Sequence, residues 1–343
     1  MASVTRVVPS TPLSSMTMKT ALIALGITLA GALAAAAPAS AQGGYPTRPI
    51  TLVVPFPPGG ATDVLGRVIA QKLGQELGQT VVVENRAGAG TVIGAGYVAK
   101  AAPDGYTLLV SSGTTFTVNP AIQSKLPYDP VKSFEPLGIV GRTGLALLAN
   151  PQVPVKDVKE LVAYVNARAK EPPAYGSFGT GTTSHFVGEA FLAAAGIRMV
   201  HVPYKGSAPA MTDLIGGQIP FSVDTVAAAL PQSKLGKVRV LAVSAPARSS
   251  FLPDVPTFAE QGYPSVAMDT WLMFTAPRGL PADVKARLEN ALRATVESPD
   301  VRKSLENQGF EPAFSSAAEG EALIQKELPM MRDLARRADI KID

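Results

Sequence analysis

The chain has 343 residues, 46% of them hydrophobic, with no cysteine, two histidines, and 31 basic against 27 acidic residues for a formal net charge of +4. The missing thiol excludes disulfide staples and thiol catalysis, and two histidines without cysteine argue against a dedicated zinc site. Arg6 and Lys19 lie in an N-terminal leader, so its removal lowers the charge from +4 to +2, and with no dense Lys/Arg run interleaved with aromatics a nucleic-acid partner is not expected.

Residues 21–37 are almost wholly apolar, follow Lys19 and lead into Ala39-Ser40-Ala41. That small-residue cleavage pattern marks residues 1–41 as a signal peptide, with the mature chain starting near Gln42. The alternative is an uncleaved anchor, but the run sits at the short edge of the roughly 17–25 residues a spanning helix needs. About 300 residues then remain, more than one hydrophobic core usually serves, so two lobes are expected.

Residues 50–56 form a short β-branched apolar run ended by Pro57, which reads as a buried strand. Residues 62–77 keep helical spacing through Val64, Leu65, Val68, Ile69, Leu73 and Leu77, with Gly78 as the stop. A strand over 80–84, a helix over 94–101, a turn at Pro103-Asp104-Gly105 and a strand over 107–111 complete a βαβαβ order. Such alternation predicts α/β architecture, a largely parallel sheet, and a ligand at the carboxyl ends of the strands. The pattern restarts after Pro136, with strands over 145–149, 174–177 and 199–202 and helices over 155–169 and 184–195. Residues 207–215, 219–224 and 238–244 continue the alternation, 271–276 is a strand, and three helices over 282–338 close the chain, with Pro329 inside the last. Tandem domains and two lobes with a crossed connection fit this pattern equally.

Between the first strand and its helix stands Phe56-Pro57-Pro58-Gly59-Gly60-Ala61-Thr62-Asp63. Glycine lets the main chain approach a ligand there, and the first helical N–H groups lack intrahelical partners, which suits a carboxylate or phosphate. No Gly-Lys-Ser/Thr follows and the dinucleotide fingerprint is absent, so no nucleotide or other cofactor is expected. The plainer reading is a βα turn with Thr62 or Asp63 as N-cap. Gly176-Ser177-Phe178-Gly179-Thr180-Gly181-Thr182-Thr183-Ser184-His185 repeats the form in the second half, and the plainer reading there is an N-cap at Thr182, Thr183 or Ser184. Two such helix starts facing across a cleft would hold an acid between them.

Other positions carry weaker signals. Arg86 could clamp a carboxylate, though pairing with Glu84 or another acid is the simpler fate. Thr114 follows a strand, Lys205 stands where a strand meets a helix, and Asp224 could accept from an amine or cap the next segment. Trp271 and Phe178 read as core residues, with stacking on an aromatic guest as the alternative. An enzyme would need a nucleophile and base, yet the chain has no Gly-x-Ser-x-Gly elbow and only His185 and His201 as imidazoles. A periplasmic hydrolase working through His185 or Asp224 is the alternative class.

The segments Tyr45-Pro-Thr-Arg-Pro-Ile-Thr-Leu-Val-Val-Pro-Phe-Pro-Pro-Gly-Gly60, Val81-Val-Val-Glu-Asn-Arg-Ala-Gly-Ala-Gly90, Ala102-Pro-Asp-Gly-Tyr-Thr-Leu-Leu109 and Val202-Pro-Tyr-Lys-Gly206 resemble, in this order, the Bug or TctC-like family. These are the periplasmic solute receptors of tripartite tricarboxylate transporters. The resemblance implies a two-lobed, type II-like periplasmic binding protein of the Venus-flytrap kind, with one lobe from residues 45–145 and 268–343 and the other from 146–267. It implies a monomer that passes a small carboxylated solute to membrane permease subunits, or, as an alternative, signals to a membrane kinase. Carried over by position, Phe56, Gly59, Gly60 and Asp63 form one ligand wall and Ser177, Thr180, Gly181, Thr182 and Thr183 the other, with Thr114 and Asp224 deeper. Thr91 stands where many relatives have glycine, which weakens a ligand role for the third loop.

Overall fold

The computed structural model describes residues 2, 3, 5–7, 10, 44–268 and 270–341. The apolar run 21–37, the cleavage pattern at Ala39-Ser40-Ala41 and the start at Gln42 lie outside these residues. By contact the chain divides into Met1–Gly44 and Tyr45–Asp343. The described residues of the first unit carry no helix or strand, and the architecture that follows belongs to the second. Among the described residues no helix is long and apolar enough to cross a membrane.

The chain runs β1 (Ile50–Val54), α1 (Ala61–Leu77), β2 (Val81–Asn85), α2 (Val92–Ala99), β3 (Thr107–Ser112), a π-helical turn (Thr114–Val118), α3 (Asn119–Ile122) and β4 (Phe134–Arg142). It continues through β5 (Leu145–Ala149), α4 (Val158–Asn166), β6 (Ala174–Ser177), α5 (Thr183–Ala195), β7 (Val200–Pro203), α6 (Ser207–Ile215), β8 (Phe221–Thr225), α7 (Val226–Lys234) and β9 (Arg239–Val243). After a short 3₁₀ turn (Pro264–Val266) come β10 (Trp271–Pro277), α8 (Ala282–Glu297), α9 (Pro299–Asn307) and α10 (Ala317–Arg337).

These strands make two five-stranded sheets, in the orders β2-β1-β3-β10-β4 and β7-β6-β8-β5-β9. Within the first, β1 pairs in parallel with β2 and β3, while β10 is antiparallel to β3 and β4. In the second, β6 is parallel to β7 and β8, and β5 is antiparallel to β8 and β9. Each sheet therefore carries one reversed strand, because β5 and β10 are the strands by which the chain arrives from the other sheet.

Burial explains why each short apolar run extends instead of coiling. Ile50, Leu52 and Val54 pack on one side of the first sheet with Leu65, Ile69 and Leu73 of α1, while Val53 faces the opposite cluster with Phe116 and Trp271. The period of two, apolar on both faces, is the signature of a sheet covered by helices twice. The second sheet repeats it: Leu145 and Leu147 pack with Phe186 and Phe221, Ala146 and Leu148 with Met211 and Leu214. Helix α10 serves both halves, since Ile324 joins the first-sheet cluster and Met331 and Ala335 join the second.

The π-helical turn and α3 over 114–122 escaped the periodicity reading, and so did two further regions. β4 contains Pro136, Gly138 and Gly141, which break the alternation, yet it pairs along all of β10 with two register shifts and is bridged on its far side by Ser315 and Glu311. Gly138 (φ +151°) is required there, because a Cβ would fall 2.7 Å from the Phe314 ring and 2.8 Å from the Ser315 carbonyl oxygen. The other is α7, whose Pro231 lies inside the helix.

The chain crosses between the sheets twice, and the crossings are tied together. Thr143 N–H donates to the Thr270 carbonyl (2.8 Å), Ser244 N–H to Leu145 (2.8 Å), and Met268 N–H to Ser244 (2.6 Å). These hydrogen bonds hold the two crossing segments side by side.

Candidate functional site

The strand-to-helix junctions of both sheets meet at one cavity of about 30 Å³. It is lined by Phe56, Gly60, Ala61 and Thr62 at the start of α1, by Phe178 and Thr183 at the start of α5, and by Gly206 and Ser207 at the start of α6. Pro57, Ser112, Thr143, Asp224, Thr225, Thr270 and Leu272 complete the wall. Two grooves flank it: one of about 500 Å³ beside Gly59 and Met211, the other of about 640 Å³ beside Gly90 and Thr180.

Of the four helices that begin at the cavity, three have no cap from the side chain of their own N-cap residue. Gly60, Thr182 and Gly206 occupy the N-cap positions of α1, α5 and α6, and none accepts a side-chain cap hydrogen bond. Thr62 and Asp63 therefore do not cap α1. Thr182 occupies the cap position of α5, but its hydroxyl donates to the Gly179 carbonyl (2.6 Å), and that of Ser184 donates to Val223 (2.7 Å). By contrast α7, which starts beside the same cavity, is capped by Thr225, whose hydroxyl oxygen accepts from Ala228 N–H at 3.1 Å. First-turn N–H groups and the positive ends of three helix dipoles thus converge on one volume with no basic side chain among its lining residues.

The walls approach each other here, and glycine is needed at 206 rather than at 60. A Cβ on Gly60 would lie 3.9 Å from the Ser207 Cβ, and one on Gly206 (φ +108°) only 3.0 Å from the Pro57 Cγ. Hydrogen bonds also cross the cleft: Thr183 N–H donates to Thr114 Oγ1 (3.1 Å), whose hydroxyl donates to Thr183 Oγ1 (3.3 Å). Replacing Thr114 by valine removes both while keeping the shape, so guest affinity is expected to fall about tenfold with the fold retained. Calorimetry together with circular dichroism checks this, and an undiminished affinity would deny Thr114 a part in holding the halves together.

The residues carried over by resemblance are not all in one place. Phe56, Gly60, Thr183 and Asp224 line the central cavity. Gly59 borders one flanking groove, and Thr180 and Thr182 the other. Asp63, Ser177 and Gly181 turn inward to their own loops. Asp63 accepts from Gly59 N–H (2.9 Å), Asn85 Nδ2 (2.8 Å) and Arg67. Burial pushes its carboxyl up, but the Arg67 and Gly59 hydrogen bonds outweigh that and hold it below its ordinary range. Asp63 thereby fixes the glycine loop that shapes the wall. Ser177 Oγ meets His201 Nε2 at 2.7 Å and accepts from Gly179 N–H, and Gly181 N–H donates to His185 Nδ1.

His185 and His201 stack at 4.1 Å between ring centres. Burial lowers the pKa of both, that of His201 to about 3 with His185 as the second cause. Neutral rings bonded to loop atoms brace the second wall. Arg86 pairs with Glu84 (2.7 Å) and lies over the Tyr97 ring, and Lys205 is exposed on the outer groove. Trp271 is fully buried, stacked on Phe116, whereas Phe178 meets Phe56 edge-on (6.2 Å) at the cavity.

Sequence reasoning passed over Ser207, Thr225, Thr143 and Thr270. Ser207 had a usable signal, since Gly206-Ser207 is a third glycine-hydroxyl junction between strand and helix. Thr143 and Thr270 reach the cavity only because the two crossing strands run side by side, which no local pattern announces.

A family model described as the tripartite tricarboxylate transporter family receptor matches residues 65–339. Protein BugT of Bordetella pertussis is 37% identical over 329 residues, covering 96% of this chain and 99% of that protein. Among solved structures, the periplasmic binding protein BugD is 35% identical with a TM-score of 0.82, over 87% of this chain and 99% of that one. MatC from Rhodopseudomonas palustris, with bound malate, is 33% identical with a TM-score of 0.80, over 84% and 99% of the two chains.

Proposed function

Because this chain belongs to the tripartite tricarboxylate transporter receptor family, whose members are periplasmic solute-binding proteins and not enzymes, we propose that it captures a small carboxylate in the cleft between its two sheets and hands it to a membrane permease. The observation that carries this reading is the convergence of three helix starts without side-chain caps, contributed by both halves, on one cavity without a basic side chain. Neutral N–H and hydroxyl donors stabilise an anion in such a site without an ion pair. The malate held by MatC supports the same ligand class.

Export rests on the leader over residues 1–41. The lobes we assign are 45–145 with 268–343, and 146–267, acting as a monomer. The walls leave a cavity of only about 30 Å³ between them, and in our reading capture involves opening at the paired crossings near Thr143 and Ser244, after which the guest holds the lobes together. Phe56, Gly60, Thr183 and Asp224 line its place directly; Gly59, Asp63, Thr114, Ser177, Thr180, Gly181 and Thr182 shape and hold the loops around it.

Native mass spectrometry of the purified mature protein is expected to reveal a co-purified small acid. Calorimetry after its removal is expected to show binding within a panel of di- and tricarboxylates, amino acids and aromatic acids. No binding across that panel would overturn the reading.

A further inference from the structure

Among the described residues Asp224 is the single ionisable one lining the central cavity, and it is fully buried. Its Oδ2 is 2.6 Å from Ser207 Oγ, and its Oδ1 accepts from Thr225 N–H at 2.7 Å. Among the described residues no cation pairs with it. On its own sheet, β5 carries no charge, Tyr175 of β6 is bonded to Glu189, and Arg239 of β9 donates to the Val153 and Val155 carbonyls. Around it, His185 of α5 lies against His201, Asp213 of α6 accepts from Tyr204, and Lys234 of α7 is exposed. Across the cleft, Asp63 and Arg67 of α1 pair with each other.

A cavity built to attract an anion therefore has a carboxylate in its wall. Two like charges in a low-dielectric site cannot both persist without a cation, so one of them takes a proton. Ser207 stands between the two, because it heads α6 at the cavity while its hydroxyl reaches Asp224. A hydroxyl both donates and accepts, so it can reverse its bond.

We propose that the guest is captured together with one proton, which rests on Asp224 while Ser207 turns its hydroxyl from Asp224 to the guest carboxylate. The proton comes from solvent and forms an O–H bond at Oδ2, which then donates to Ser207 Oγ; the freed Ser207 O–H donates to the guest. Thr225 N–H keeps Oδ1 as its acceptor throughout. Burial already pushes the Asp224 carboxyl up to about 6, against the opposing hydrogen bonds of Ser207 and Thr225, and an arriving anion pushes it further in the same direction. Asp224 and Ser207 thus select a guest that presents a bare carboxylate to this wall.

This inference rests on the carboxylate-receptor reading above. The test is titration calorimetry of the mature protein with malate and with succinate, each in two buffers of different ionisation enthalpy. Near about pH 7.5 the expected result is an uptake approaching one proton per guest, with affinity falling by up to about tenfold per pH unit above that point. In Asp224→Asn the amide oxygen still accepts from Thr225 and the amide nitrogen donates to Ser207, so proton uptake is expected to vanish and the affinity to stay flat with pH. Identical apparent enthalpies in both buffers for a wild-type protein that binds would overturn the proton-linked capture alone, as would an Asp224→Asn variant that keeps the wild-type pH profile. If Asp224→Asn does not fold, the wild-type buffer pair decides. Failure of both acids to bind at any pH would remove the inference, and only failure across the whole panel above would count against the receptor reading itself.

Discussion

Gly60→Val is expected to weaken guest binding by about a hundredfold, close to 3 kcal/mol, while leaving the melting temperature of the guest-free protein within about 2 °C. The backbone at Gly60 (φ −81°, ψ 167°) is extended and open to any residue. A Cβ there would lie an ordinary 3.9 Å from the Ser207 Cβ, so alanine fits. Valine adds two methyl groups beyond that Cβ, and they occupy the space between the starts of α1 and α6 where the guest and the closing walls must meet. Gly60→Ala is accordingly expected to lose less than about threefold, because one methyl group at van der Waals distance asks little of the wall. Calorimetry on both variants with whichever acid the wild type binds decides the matter. Equal affinity for Gly60→Val and wild type would remove this junction from the site.

Trp271→Ala is expected to cost about 4 kcal/mol of stability, read as a fall of roughly 10 °C in melting temperature. Trp271 opens β10 just after the return crossing, is wholly buried, stacks on Phe116 at 5.9 Å and donates its indole N–H to Glu327 at 2.9 Å. Truncation leaves a cavity beside the π-helical turn that holds Thr114 and takes the indole donor from Glu327 of α10. Retaining the ring with Trp271→Phe should recover more than half of the loss, since most of the cost is packing. A loss below about 1 kcal/mol for the alanine variant would contradict the core role.

Local chemistry made most elements legible. The runs at β1, β5 and β6 are short, apolar and bounded by Pro or Gly, and α1 keeps its stripe for four turns to Gly78, whose φ of +72° closes the helix. The glycine-hydroxyl junctions at Gly60 and Thr182 could be recognised because a helix start near a ligand needs small residues and open N–H groups wherever it occurs. β4 was hidden because Pro136, Gly138 and Gly141 are tolerated only through its partner β10, a contact 130 or so residues away in the chain. Asp63 carried the right signal for a wall residue, yet Arg67 one helical turn on and Asn85 on the next strand draw its carboxylate into the loop.

By itself the sequence determined the alternating elements, the family, and the strand-helix junctions able to carry donors, because each of these follows from spacing and residue type within a few tens of residues. The tertiary structure alone decided which junctions share a cavity, that Ser207 and Thr225 hold Asp224 there, and that Thr143 and Thr270 lie at the paired crossings. Those outcomes depend on how two reversed strands, β5 and β10, carry the chain between sheets, and a crossing is settled by long-range pairing energies that leave no periodicity in the residues that make it.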